Sequence, residues 1–417
     1  MSKHVLIVGG GIVGLSVAYY CARKGHRVTL IERGGPDRDG CSFANAGMVV
    51  PSHFVPLASP GVVRLGLRSM WNAESAISVK PRFSADLVDW GWKFYRAATK
   101  SHVDQTAPRL RDLHLASREC YRQWIALWGN DFGLAERGLL VLCNTELGLE
   151  EEAKTAEHAR ALGMPAQLLT AAATAELEPN MRMAIAGSIY FPMDCHLVPG
   201  RLMAALSHQA EEAGVRAHYC TSVTGWRSHG NRVAAVQTSG ETFIADEFVV
   251  CAGIWSKDIA RDLGIKLPMQ AGKGYSLTVE TRAPQPRVCA ILSEARVAMT
   301  PMGSALRFGG TMELAGIDEG INPIRVRGIV KSIARYYPDF MPSQFEGAQV
   351  RSGLRPCSPD GLPYVGRFAR FANLSTATGH AMMGVSLGPI TGKLMAEILS
   401  DEPPSCSMEG LSPDRYA

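Results

Sequence analysis

Three glycines, at 9, 11 and 14, restrict the fold of this chain more than any other feature. They sit in HVLIVGGGIVGLSVAYYCARKGHRVTLIER, residues 4–33. The apolar run from His4 to Val8 predicts a buried strand, and Gly14 to Lys24 predicts a helix entered through a tight turn. The start of such a helix offers free N–H groups and the positive end of a dipole, which together attract a pyrophosphate. Gly11 lets phosphates approach the main chain, and Gly14 lets helix and strand pack closely. Glu32 closes a second strand, Arg27 to Ile31, about 20 residues beyond the last glycine, where a carboxylate can accept from ribose hydroxyls. The stretch predicts a dinucleotide site with an unphosphorylated ribose.

At 417 residues the chain is long for one core and suits two domains. Its net charge of +4 comes without a Lys/Arg run, which argues against nucleic acid as a partner. Ten cysteines occur without a CxxC pair or clustered spacing, so reduced thiols are expected, with no metal site and no disulfide framework. No apolar run reaches the ~20 residues of a membrane span. The N-terminal stretch is accounted for as strand and helix rather than as a signal peptide, and a cytoplasmic location is expected.

Along the chain, 34–61 is rich in loops, and residues from Phe83 to about Trp128 are expected to be helical, anchored by Trp90, Trp92, Phe94, Tyr121, Trp124 and Trp128. A helix over 197–213 follows Asp194, a potential cap. FIADEFVVCAG, a strand ending at Cys251-Ala252-Gly253, predicts that the dinucleotide domain resumes after an insertion. Period-two alternation in GYSLTVE, RVAMTPM and ALRFGGTME predicts an antiparallel sheet facing the cofactor. Strand, Gly-rich loop and helix return after 350, and the residues from about Asp401 are expected to form a surface tail.

GGGIVGLS, SFANAGM, VVCAGIWS, KGYSLT, RFGGTMEL, GLRPCSPDGLPYVG and TGHAMMGVSLGP, in this order, resemble the FAD-dependent D-amino acid dehydrogenases, within the broader glycine oxidase and D-amino acid oxidase class. The resemblance covers nearly the whole chain. It implies an α/β protein, α+β overall, in which a Rossmann-like FAD domain is interrupted by a substrate domain with a mostly antiparallel sheet. The expected divisions are 1–85, 195–266 and 350–417 for the FAD domain, and 86–194 with 267–349 for the substrate domain.

For the cofactor, the resemblance implies noncovalent FAD. Gly9, Gly11, Ile12, Val13 and Gly14, with Glu32 and Arg33, would meet its pyrophosphate and adenosine ribose. Cys41, Ser42, Ala46, Gly47 and Met48 match the loop running beside phosphates and flavin. Val223 matches a residue whose main chain holds the adenine, with Ala252 and Gly253 on the turn near it. His380, Ala381, Met382, Met383, Gly384, Val385 and Ser386 match a Gly-rich loop over the pyrimidine edge of the flavin. There a helix start would stabilise the negative charge of the reduced ring. Cys357 lies outside the position used by relatives that tether flavin through cysteine.

The implied reaction is oxidative deamination of a D-amino acid, or of a cyclic D-imino acid such as a D-proline derivative. Hydride passes from Cα to flavin N5, giving an imino acid and then a 2-oxo acid. Arg355 matches the family's carboxylate-binding arginine, and a planar fork suits that task. Arg307 is a second candidate, although alternation alone cannot say whether it or Phe308 faces the pocket. Tyr275 is read either as a donor to the substrate carboxylate or as packing, and His380 either as a contact to flavin or amine or as a structural donor. Glycine oxidases carry an arginine where this chain has Met382 and a tyrosine at the position of Ala298. A roomier, less polar pocket follows, with Met48, Met382 and Met383 as an adaptable lining. Quinone is the expected electron acceptor. Residues 54–71, with Arg64 and Arg68, form a segment suited to the inner face of a membrane. The alternatives are an oxygen-using amino acid oxidase and a flavin subunit of a multisubunit oxidoreductase.

Overall fold

The protein is described by a computed structural model covering residues 1–38, 40–63, 77–80, 82, 84–280 and 285–417. Its N-terminal strand, His4–Val8, lies inside a six-stranded sheet. The spatial order is Tyr364–Arg367, Leu374–Thr378, Glu247–Val250, His4–Val8, Arg27–Ile31 and Arg216–His218. All neighbours in it are parallel except the antiparallel outermost pair, Tyr364–Arg367 with Leu374–Thr378. A strand buried on both faces must be apolar at every position. Val5 and Ile7 pack with the Ile12–Arg23 and Gly384–Leu399 helices, whereas Leu6 and Val8 pack with Phe248, Val250 and Ile254. The two helices meet almost backbone to backbone: a Cβ on Gly392 would lie 2.4 Å from the Ser16 carbonyl carbon. The last helix is thereby fixed against the first.

The second sheet runs Gln349–Cys357, Gln270–Glu280, Ala305–Leu314, Val297–Met302, Cys289–Leu292, Leu139–Cys143, Gly187–Phe191 and Gln167–Thr170, with Ile77–Val79 added beside Ala305–Leu314. It is mostly antiparallel, as alternation predicts. Cys289–Leu292 runs parallel to Leu139–Cys143, and Ile77–Val79 parallel to residues 312–314. One face carries the Pro323–Tyr336 helix over Leu277, Phe308 and Val297. The expected helical stretch to Trp128 is two helices, Ala85–Ala97 and Lys100–Trp128, capped by Ser84 and Thr99.

Three expectations are corrected. Residues 350–357 belong to the second sheet, because Gln349–Cys357 pairs antiparallel with 270–278 along its whole length; the division placed at 350 therefore moves beyond the strand. Asp194 caps no helix. The Pro199–Glu212 helix has no side-chain cap, and the Asp194 carboxylate instead accepts from the Ser52 amide at 3.0 Å and from the Ser52 hydroxyl. The end of the chain is not a loose tail: Leu411 is buried, and the Arg415 guanidinium bonds Asp360 at 2.7 and 2.9 Å while lying 3.8 Å over the Tyr364 ring. A paired, ring-stacked arginine gives the segment a reason to dock.

Candidate active site

A cavity of about 790 Å³ opens along the C-terminal ends of the parallel strands and runs to the edge strand of the second sheet. Such an edge is where an open α/β sheet binds ligands. Gly9, Gly11, Ile12 and Val13 form its floor. Gly9 has φ +107°, and a Cβ there would stand 2.5 Å from the Cys251 carbonyl oxygen. A Cβ on Gly14 would stand 1.9 Å from the Gly9 carbonyl oxygen; this glycine lies beneath the floor, where helix meets turn. Gly11 differs, since a Cβ there would meet only Ser42 Oγ, at an ordinary 3.4 Å. The protein does not fill the space above Gly11, which suits a residue whose bareness serves a ligand. The helix start has no side-chain cap, and the Ile12 N–H donates to Ser42 Oγ at 3.0 Å. These features fit a dinucleotide pyrophosphate.

Glu32 lies at the next corner. Its carboxylate accepts from the Gly10 N–H at 2.6 Å and the Gly34 N–H at 2.7 Å, which fixes its direction and leaves further lone pairs for hydroxyls. The Arg33 guanidinium lies 3.6 Å over the Trp255 ring. Val223, Ala252 and Gly253 border the same end of the cavity, and Cys41 and Ser42 border its middle. Ala46, Gly47 and Met48 stand behind that wall: Ala46 lies 3.5 Å from where Gly309 would carry a Cβ, and Met48 is buried in a strand pair with His196.

At the far end, His380, Ala381, Gly384 and Val385 line the cavity where the Gly384–Leu399 helix begins. The turn is held from behind by the Lys100–Trp128 helix. His114 Nδ1 lies 2.8 Å from Ser386 Oγ and its Nε2 3.3 Å from Met383 Sδ, and the Tyr121 hydroxyl donates to the Val385 carbonyl at 2.6 Å. Met383 and Ser386 therefore support the turn from inside the protein, and Met382 is 46% exposed. Of the three methionines offered as lining, two are buried supports and the third faces outward. His380 Nε2 pairs with Thr391 Oγ1 at 2.9 Å, and burial lowers its pKa to about 4, so the ring is neutral at ordinary pH.

The three remaining candidates separate cleanly. Arg355 lies on the face of the second sheet that Gly353 turns towards Cys41, its guanidinium over Gly274, where a Cβ would be 2.2 Å from Nη2; residues 350–354 and Pro356 line the cavity, and Arg355 itself stands behind them. Its Nη1 donates to the Thr311 carbonyl at 2.7 Å, and no carboxylate pairs with it among the described residues. A half-buried guanidinium without an acid is a site for an anion. Arg307 shares that side but is committed. It donates to the Phe43 and Asn45 carbonyls at 2.8 and 2.9 Å and to Thr278 Oγ1 at 3.1 Å, so it fastens the 41–48 loop, while Phe308 enters the opposite core. Burial, with Arg351 nearby, lowers its pKa to about 10. Tyr275 is corrected: its hydroxyl donates to Glu313 Oε2 at 3.0 Å in a buried group with Lys273 and Arg325, among residues packed under the Pro323–Tyr336 helix. Two residues outside the expected set also matter. Trp255, within the VVCAGIWS motif, stacks on Arg33, and Arg38 donates to the Gly10 carbonyl in the glycine turn. The arginine has no motif to signal it.

Cys357 is fully buried, its thiol pushed up to about 12 by burial, and is not among the residues lining the cavity. Within 54–71, Phe54 and Ala58 are buried in the core, and 64–71, with Arg64 and Arg68, lie outside the described residues. Among the described residues no helix is long and apolar enough to cross a membrane, and no cluster of potential metal ligands occurs.

The family model for FAD dependent oxidoreductases matches residues 4–398. A D-amino acid dehydrogenase of Methylobacterium radiotolerans is 34% identical over 424 residues, covering 99% of this chain and 100% of its own. One from Cereibacter sphaeroides is 32% identical over 421 residues, covering 99% of this chain and 95% of its own. Among solved structures, glycine oxidase from Geobacillus kaustophilus superposes with a TM-score of 0.79 at 26% identity, over 100% of this chain and 99% of that one. L-proline dehydrogenase from P. horikoshii shares the fold, with a TM-score of 0.76 at 18% identity over 100% of this chain and 98% of that one.

Proposed function

Because this chain belongs to the FAD-dependent oxidoreductase family, we propose that it is a D-amino acid dehydrogenase that oxidises the Cα–N bond of a D-amino acid, or of a cyclic D-imino acid, and passes the electrons to a quinone. The observation that carries this reading is Arg355, a cation over Gly274 that has no acidic partner among the described residues, on the strand whose residues 350–354 and 356 line the cavity. Bound FAD would supply the hydride acceptor. The chain's own residues bind and aim. The Gly9–Gly14 turn and Glu32 hold the pyrophosphate and ribose, and the 380–386 turn directs a helix start at the flavin's pyrimidine edge. Arg355 takes the substrate carboxylate in its fork, which orients Cα towards the ring. His380, neutral and tied to Thr391, holds the turn rather than moving a proton. An acyclic imino acid product needs only water to become a 2-oxo acid and ammonia, whereas a cyclic one opens with water to an amino 2-oxo acid and releases no ammonia.

The absence of a tyrosine at Ala298, opposite Gly309 in the second sheet, favours substrates larger than glycine; Met382, which faces outward, does not bear on the pocket. Quinone reduction would bring the enzyme to the inner face of a membrane while the chain itself stays cytoplasmic. FAD is read as noncovalent, because Cys357 is shut away from the cavity; yellow colour remaining on acid-precipitated protein would overturn that. The central experiment is anaerobic mixing of the holoenzyme with D- and L-amino acids and glycine. Bleaching of the flavin by D-alanine and D-proline, with reoxidation by a soluble quinone faster than by oxygen, is the expected result. Bleaching by L-enantiomers alone, or glycine exceeding both D-substrates, would overturn the substrate assignment, and rapid reoxidation by oxygen the acceptor.

A further inference from the structure

Thr311 lies in RFGGTMEL, in the middle of the second sheet. Facing strands place Tyr275 opposite Gly310 and Lys273 opposite Glu313, so Gly274 faces two residues, Thr311 and Met312. This is a β-bulge, and Thr311 occupies it with φ +65°. A left-handed conformation at a bulge belongs to glycine, and a β-branched residue adopts it only under strain. Strain of this kind persists where the surroundings enforce it, and it concentrates at functional sites.

Two further observations bear on the same residue. Its hydroxyl is buried, in a residue only 9% exposed, and has no hydrogen-bond partner among the described residues. Buried hydroxyls are almost always paired, and an unpaired one costs free energy. Its carbonyl oxygen is the acceptor that holds Arg355 Nη1, and Gly274, across the bulge, is the glycine over which that guanidinium lies. The residue that carries both the strain and the unpaired hydroxyl is therefore the one whose carbonyl holds Arg355, a cation with no carboxylate partner among the described residues.

We infer that Thr311 is a second ligand for the substrate carboxylate: its carbonyl sets the Arg355 fork and its hydroxyl donates to the carboxylate that the fork binds. The inference rests on the reading of Arg355 given above. It assigns the bulge a purpose, since a regular strand would carry the residue opposite Gly274 past the fork. A threonine here also costs stability that a glycine would not, which is the trade expected of a binding residue.

The test uses holoenzyme, with propionate as a carboxylate that has no amino group to oxidise, bound in a titration calorimeter, and with thermal unfolding measured in parallel. Thr311→Val keeps the branched shape and loses the donor; it should raise the propionate Kd about tenfold, the worth of one hydrogen bond to a charged group. Thr311→Ser keeps the donor and should bind within about twofold of the parent. Thr311→Gly should weaken propionate like the valine variant yet unfold at a higher temperature, a combination that a purely structural role does not produce. Parent-like affinity in Thr311→Val, or equal weakening in the valine and serine variants, overturns the inference as long as Arg355→Ala abolishes propionate binding. Undiminished binding in Arg355→Ala overturns the reading of the site itself, whatever the Thr311 variants do.

Discussion

At the scale of single residues, the site divides into groups that serve the fold and groups left for a ligand. Gly14 and Gly11 show the division. Gly14→Ala forces a Cβ against the Gly9 carbonyl, and its cost in stability should reach about 1–3 kcal/mol or more, read as a lower denaturation midpoint. Gly11→Val has room in the protein alone and should fold with a near-parental midpoint while failing to retain FAD; a fully flavin-loaded variant would displace the pyrophosphate from this turn. Arg355→Ala should raise KM far more than it lowers kcat, with a loss of about 2–5 kcal/mol in kcat/KM for a desolvated charge pair. Unchanged kinetics would remove Arg355 from substrate binding. The glycine turn is legible in the sequence because its spacing is a local signature, whereas Arg355 is marked only by the resemblance that GLRP carries. The choice between Arg307 and Phe308 could not, because a strand's two faces are equivalent until something packs on one of them. Tyr275 defeated the sequence for a related reason: the bulge at Thr311 lets Lys273 and Tyr275 meet Glu313 and Gly310 on one side.

Elements add a layer of buried titratable groups behind the cavity. The loop after the Met48–Val49 strand and the Lys100–Trp128 helix bring His53 and His114 together, both neutral, their pKa values lowered by burial to about 4 and about 3. Asp194, in the same layer against Ser52, is pushed the other way by burial, to about 7, although the Ser52 hydrogen bonds and Arg118 oppose the rise. The signs differ. A histidine whose pKa falls on folding contributes stability above about pH 6.5 that is lost as the pH drops towards its folded value. A carboxyl whose pKa rises contributes stability at acid pH that is lost as the pH climbs from about 4 to about 7. Asp194→Asn removes only the second effect. Its stability relative to the parent should therefore improve as the pH rises across that window, by at most about 4 kcal/mol, in urea denaturations at matched pH values. Parallel curves would mean that the carboxyl titrates with the same pKa in the folded and unfolded states. None of this layer was legible in the sequence, which offered Asp194 as a helix cap: a cap is a local pattern, whereas the Ser52 contact joins residues far apart in the chain.

For the whole molecule, the cavity is the junction of the two sheets. Its walls come from the first strands and the glycine turn, from 221–223, 251–255 and 258–259, from 350–354 and Pro356 on the second sheet, and from the start of the last helix. Sequence motifs revealed this assembly because each wall is a short run with its own turn chemistry. The boundary between the sheets escaped, since a strand such as Gln349–Cys357 carries nothing that says which sheet it joins. A ligand spanning such a junction binds the folded chain and not the unfolded one, so it stabilises by mass action. Stripping FAD should lower the thermal midpoint, and restoring it at 100 times its Kd should return about 2.7 kcal/mol. The midpoint should keep rising with FAD concentration beyond saturation of the absorbance. AMP, reaching only the Glu32 end, should recover part of this rise, because it contacts one domain and cannot tie the second sheet to the first. Equal recovery by AMP and FAD would show that the flavin end of the cavity contributes nothing to holding the sheets together, and would move the flavin away from the 380–386 turn.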